Sequence, residues 1–177
     1  MERKYPQKRK QATPEEGLEK VIQIDRVNKV VKGGKRMSFR AFVISGNLNG
    51  EVGFGLGKSK EVPSAIKKAV EESHKKKCKI NIVRGTIPHE VLGSFGASKV
   101  ILKPAKPGTG VIAGGSVRIV LEALGVKDIV AKSIGAGSPI NAAKAALDGL
   151  LKLRSLTEEV ARRGKALPVY SHQEKGA

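Results

Sequence analysis

Tryptophan is absent from this 177-residue chain, and four Phe with two Tyr bring the aromatic share to only 3%. The core is therefore expected to be made of Val, Ile, Leu and Ala. The aromatic platforms on which unpaired bases stack are also missing, which argues against reading single strands. A single cysteine, Cys78, excludes an internal disulfide and fits a reducing compartment. It reads as a small hydrophobe at the start of a strand. No apolar run approaches the roughly 20 residues needed to span a bilayer. Residues Met1 to Ala12 are polar and basic, without the apolar stretch of a secretory signal. Carboxylates are scarce as well: 16 Asp and Glu stand against 34 Lys and Arg, a formal charge of +18. A field of that sign draws polyanions. With a membrane disfavoured, nucleic acid is the expected partner. Hydrophobic residues at 40% are enough for a packed core.

The pattern along the chain predicts an α+β protein of two small units. Residues 1–16, with Arg3, Lys4, Lys8, Arg9 and Lys10, read as a flexible basic arm. Alternation of Ile22 and Ile24 with Gln23 and Asp25 predicts a strand over 17–32, and Met37 to Ile44 predicts a second. Asn47-Leu48-Asn49-Gly50 is turn chemistry. Val52, Phe54 and Leu56 follow at period two, separated by Gly53, Gly55 and Gly57. A strand with one bald face implies close packing against that face. Pro63 opens a helix whose apolar stripe is Val62, Ile66, Ala69, Val70 and Ser73, closed by three lysines at 75–77. The first unit, residues 17–78, is thus three antiparallel strands and a helix.

The second unit, 79–164, is expected to hold strands over 79–83, 86–92, 99–103 and 128–134. A Pro- and Gly-rich loop is expected over 104–110. Helices are expected from Gly114 or Gly115 to Leu124, from Ser138-Pro139 through Leu153, and from Thr157 as a cap to Gly164. Residues 165–177 read as a tail.

Several motifs invite a chemical reading and fail it. Gly53 to Ser59 has Gly-Lys-Ser, but the phosphate-binding loop needs glycine five residues before Gly57, where Val52 stands. Gly108-Thr109-Gly110-Val111-Ile112-Ala113 matches the dinucleotide fingerprint, with Asp128 as the acid. Pro104 and Pro107 separate it from the strand before, however, and a structural turn or a protein contact fits better. His74, His89 and His172 are scattered without ligand spacing, so no metal is expected. No catalytic set, cofactor site or small-molecule substrate site is expected either. The segment Val27-Asn28-Lys29 through Lys32-Gly33-Gly34-Lys35-Arg36 is different: cations surround a two-glycine turn, with Arg40 on the next strand and Lys58 and Lys60 nearby. Lysine and arginine supply charge, while glycine lets backbone amides approach phosphates closely. This favours recognition of RNA shape and backbone.

Three ordered blocks then show a resemblance. They are Val31 to Ala41 with Gly50 to Lys58 and Glu61 to Ala69; Pro104-Ala105 with Gly108 to Gly115 and Arg118; and Ser133-Ile134-Gly135 with Ser138 to Asn141. Together they span about 18–164, and the chain resembles the family of ribosomal protein five of the bacterial small subunit. Leu56, Glu51 and Ser138 stand where that family commonly has an aromatic, Arg and Asn. The resemblance implies a first domain like double-stranded-RNA-binding domains and a second α/β domain, a sandwich with a left-handed β-α-β crossover. It implies cytoplasmic 16S rRNA binding near the head–body junction by the hairpin around Val27, Asn28, Lys29, Lys32, Gly33 and Gly34. It further implies contacts with small-subunit proteins four and eight, with Gly110 and Arg118 on the side facing protein four. Roles in subunit assembly, decoding accuracy and the path by which mRNA enters follow from it too. A free double-stranded-RNA-binding module, and a small enzyme of the kinase group that shares the second domain's fold, are the other readings.

Overall fold

The structure, a computed structural model, describes residues 17–164; the arm and the tail expected from the sequence lie outside this span. The first sheet has the order β1 (Leu18–Val31), β2 (Gly34–Gly46), β3 (Glu51–Ser59), β4 (Cys78–Lys79), all antiparallel, with helix α1 (Val62–Lys75) between β3 and β4. The expectation of three strands needs a correction to four. The chain leaving α1 runs back along the start of β3, where Ile80 N–H donates to Gly50 C=O at 2.8 Å. The strand expected over 79–83 is cut back to Cys78–Lys79 and pairs with β3 in the first sheet rather than belonging to the second unit.

The bald face of β3 behaves as expected. A Cβ built on Gly53, Gly55 or Gly57 would overlap the carbonyl oxygen of Ser73, Ala69 or Ala65 in α1. The buried stripe of α1 is therefore Ala65, Ala69 and Ser73. Ile66 and Val70, which the sequence placed in that stripe, are only half-buried at its flank. Close approach of backbone to backbone requires the smallest side chains on both partners, and that outranks hydrophobicity in choosing the stripe.

The second unit contains β5 (Val91–Phe95), β6 (Ser98–Pro104), β7 (Val111–Ile112), α2 (Gly115–Leu124), β8 (Ile129–Gly135), α3 (Pro139–Leu151) and α4 (Leu156–Arg163). Its sheet runs β5-β6-β8-β7, with β7 parallel to β8 and α2 connecting them. Two expected strands are corrected. Residues 80–90 hold a single bridge, Val83 to Thr86, around a turn where Arg84 and Gly85 take φ of 50° and 79°. Ile80 and Ile87 are buried here as separate anchors rather than as a ladder. The strand begins at Val91, and β7 lies where no strand was expected.

The core is shared. Phe42, Ile44 and Val52 from the first sheet join Val100, Leu102, Val117, Leu121, Leu124, Ile129 and Leu150 in one buried cluster. Ala41 and Val43 on the opposite face of β2 pack with α1 instead. Strand β2 is thus covered on both faces. The β2–β3 turn also caps α2: Leu48 N–H donates to Ala123 C=O at 3.1 Å and Gly50 N–H to Leu124 C=O at 3.0 Å. These carbonyls would otherwise lack partners at a helix end. Gly125, at φ 90°, closes the helix directly against Leu48, leaving no room for a Cβ.

Candidate nucleic-acid interface

Strand β3 stops pairing at Ser59, opposite Phe39, but β1 and β2 continue past it. Five further residue pairs, from Val27–Ser38 to Val31–Gly34, form a two-stranded ribbon. At about 3.4 Å per residue the ribbon projects roughly 17 Å from the sheet. Lys32 and Gly33 make its two-residue turn, with Gly33 at φ +86°. A Cβ on Gly33 or Gly34 would meet nothing within 4 Å, so the tip is bare backbone open to solvent.

From Arg26 to Gly50 the sequence has no Asp or Glu, while residues 26–36 alone carry Arg26, Lys29, Lys32, Lys35 and Arg36. The register sorts these cations. Lys29 lies directly opposite Arg36, and Arg40 directly opposite Lys58. Strand alternation puts all four on one face, with Val27 between the two pairs. Lys35 and Arg26 lie on the reverse face, Lys32 at the tip, and Lys60 just past the end of β3. Like charges opposite each other on neighbouring strands disfavour the free protein, so the Lys29–Arg36 pair is an arrangement that an anion would relieve.

Arg40 differs from the rest. Its Nη2 donates to Asp25 Oδ2 at 2.6 Å and its Nε to the same oxygen at 3.2 Å. The Arg40 hydrogen bond, helped by Gln23, holds the Asp25 carboxyl below the usual carboxylate range. Lys29, Lys32, Lys35, Arg36, Lys58 and Lys60 form no ion pair among the described residues. The one nearby cation that the sequence reading passed over is Arg26, opposite Phe39 at the base of the ribbon. Its signal was the acid-free run itself.

Gly110 and Arg118 lie apart from the ribbon, on the segment around β7 and α2. Gly110, at φ +75°, donates its N–H to Asp128 Oδ1 at 2.8 Å, and its C=O accepts from Ile129 N–H at 3.1 Å. Asp128 thus ties down a glycine turn. Arg118 Nε donates to Glu122 Oε1 at 2.8 Å, and the other oxygen takes Lys20 at 2.7 Å. The Lys20 hydrogen bond first, then that of Arg118, lowers the Glu122 pKa. Arg118 is therefore linked through Glu122 to β1.

The other motifs find structural roles. Gly53 to Lys58 lies inside β3 and offers no loop to wrap a phosphate. His74 Nε2 meets Glu19 Oε1 at 2.7 Å. His89 joins Glu90 C=O through Nδ1 at 2.9 Å and accepts from Arg154 N–H through Nε2 at 3.2 Å. Among the described residues no three of His, Cys, Asp and Glu gather to hold a metal, and no helix is long and apolar enough to cross a membrane.

Two family models match the chain: ribosomal protein S5, N-terminal domain, over residues 18–81, and ribosomal protein S5, C-terminal domain, over residues 93–163. Among curated proteins, the chain is 53% identical to small ribosomal subunit protein uS5 of Lawsonia intracellularis over 150 residues, covering 85% of this chain and 92% of the relative. It is 52% identical to the protein of the same name from Syntrophobacter fumaroxidans over 148 residues, covering 84% and 89%. The protein of that name from Thermotoga neapolitana is 49% identical over 159 residues, covering 85% and 89%.

Proposed function

Because this chain belongs to the ribosomal protein S5 family, we propose that it is a structural, non-enzymatic constituent of the small ribosomal subunit in the cytoplasm, and that its β1–β2 ribbon grips the backbone of 16S rRNA. The observation that carries the RNA contact is the ribbon itself: four cations, no carboxylate, and an opposed Lys29–Arg36 pair around a bare Gly33-Gly34 tip. Ammonium and guanidinium groups neutralise phosphates, and the glycines let amides approach them. With few aromatics to stack on bases, recognition falls on shape and phosphate geometry.

In this reading residues 17–78 are the RNA-facing unit and 79–164 brace a protein joint. The segment with Gly110 and Arg118 faces small-subunit protein four, protein eight lies nearby, and the chain borders the path by which mRNA enters. Small movements at that joint bias the subunit between conformations and so tune decoding accuracy.

The test is binding of the full chain to a 16S rRNA fragment across salt concentrations. If about six phosphates are neutralised, log affinity falls against log salt with a slope of roughly −5. A flat response overturns the electrostatic grip. Sedimentation of the chain away from small subunits, with RNA binding intact, would instead favour a free RNA-binding module.

A further inference from the structure

We propose that Asp25 and Gln23 are positioning residues, which fix Arg40 as a preset fork for one phosphate of folded RNA, shared with Lys58. The proposal rests on the reading that the β1–β2 ribbon grips 16S rRNA, and it assigns a second task to the base of that ribbon. The ribbon supplies charge; this row supplies geometry.

The row runs straight across three strands. Asp25 of β1 lies opposite Arg40 of β2, and Arg40 lies opposite Lys58 of β3. A bulge makes this possible. The β1–β2 register shifts between Val21 and Gln23. Had the register of Leu18 to Val21 simply continued, Ile24 would stand opposite Arg40, and Asp25 opposite Phe39 on the α1 side. A slip of one residue turns a whole strand over, and bulges re-aim side chains in this way.

The hydrogen bonds then fix the guanidinium. Asp25 Oδ2 accepts from Arg40 Nη2 at 2.6 Å and Nε at 3.2 Å, while Oδ1 accepts from Gln23 Nε2 at 2.5 Å. Each carboxylate oxygen therefore has its own donor. Asp25 occupies the side edge of Arg40, formed by Nε and Nη2. The end edge, formed by Nη1 and Nη2, has no partner among the described residues. The Arg40 side chain is 39% exposed against 23% for Asp25, so the acid sits beneath and the fork reaches solvent. A planar fork matches two phosphate oxygens, and Lys58 adds a point charge beside it.

Stability does not account for the pair, since half-exposed ion pairs contribute little. Asp25 is also the last acid before the run from Arg26 to Gly50 that has none. On a surface that draws phosphates a carboxylate repels the ligand, unless it orients a group that binds it.

The test compares the full chain on two RNAs by filter binding at one salt concentration: the folded 16S fragment and an unrelated duplex of equal length. Asp25→Asn leaves one acceptor oxygen where two were used, so Gln23 and Arg40 cannot both be served. Affinity for the 16S fragment should fall about ten-fold. Affinity for the unrelated duplex should rise roughly two- to five-fold, because an anion has left the surface. Arg40→Lys keeps the charge without the fork and should lose about ten-fold on the fragment as well. Adding Asp25→Asn to Arg40→Lys should bring no further loss. A parallel rise on both RNAs would reduce Asp25 to a stray charge. A parallel fall would make it a prop of the sheet, and no change on either RNA would leave it no part in binding; each result overturns the proposal. Unaltered chain that does not prefer the 16S fragment to the duplex overturns the rRNA grip itself, and this positioning role with it.

Discussion

In the first sheet Gly53, Gly55 and Gly57 of β3 lie under Ala65, Ala69 and Ser73 of α1; in the second, Gly93 of β5 lies under Ala145 and Gly149 of α3. Each helix then reaches over the strand edge with a carboxylate. Glu72 accepts from Leu56 N–H at 2.8 Å, with Lys76 one turn on hydrogen-bonded to the same side chain. Asp148 accepts from Ser94 N–H at 2.9 Å, with Lys152 bonded at 2.5 Å. Both devices satisfy outward amides that would otherwise invite pairing with another chain. The two sheets differ in what they leave uncovered. The first packs its central strand on both faces and projects a cationic ribbon past its last strand. The second keeps a flat face open, with lysines set among aliphatics. One construction principle thus carries two different surfaces.

The sharpest break in that contrast comes from charge. At 0.15 M salt each neutralised phosphate is worth roughly five-fold in affinity. Reversing two ribbon charges, Lys29→Glu with Lys32→Glu, should therefore weaken binding to a 16S rRNA fragment by about 100- to 1,000-fold. Lys67→Glu with Lys68→Glu, on the exposed side of α1, should cost far less. Filter binding at fixed salt decides, and equal losses would remove the ribbon's special place.

Next in size is packing. Gly55→Ala and Gly93→Ala each push a methyl into helix backbone, and denaturant titration should show losses of about 3 kcal/mol for both. A large loss at one and none at the other would end the parallel between the sheets. Gly33→Ala places a side chain at positive φ and should cost about 1–2 kcal/mol. Gly34→Ala meets open space without that strain, so stability should change by less than about 0.5 kcal/mol. If RNA backbone closes on this tip, its affinity still drops. Unchanged affinity would mean that the tip touches nothing.

The smallest effect is the pH dependence of the two edge carboxylates. Their hydrogen bonds to lysine, then to a strand amide, hold Glu72 and Asp148 below the usual carboxylate range. A depressed folded pKa adds stability above the unfolded pKa that is lost as pH falls through the folded value. Stability should therefore decline on acidification below about pH 4. Glu72→Gln and Asp148→Asn should each flatten part of that decline without changing stability slopes near neutrality. An unaltered acid profile in both variants would show that these carboxylates cap nothing.

Much of this was readable in advance. Period-two alternation marked β1, β2, β3, β6 and β8, and Pro63 and Pro139 marked two helix starts. The glycines of β3 announced a close neighbour. What was missed shares one physical feature, which is that the signal came from distant partners. Strand β7 has two residues and forms along the free edge of β8, and the strand expected from Cys78 is held to two residues by its pairing with β3. Thr86 to Leu92 alternates well enough for a strand, yet Ile87 is spent as a core anchor and the ladder starts later. The cations of the ribbon were visible as a cluster, but which of them oppose one another depends on register.

Local composition, taken alone, was enough to determine the charge, the absence of disulfide or metal-ligand spacing, the two-glycine tip and most element types. Each of these depends on residues close together in the chain. Only the tertiary structure decided that Lys29 faces Arg36, that Arg40 is held by Asp25, and that one core joins both sheets. It also decided that one face of the second sheet is left open. Register and burial depend on partners tens of residues away, and no local pattern encodes which partner arrives.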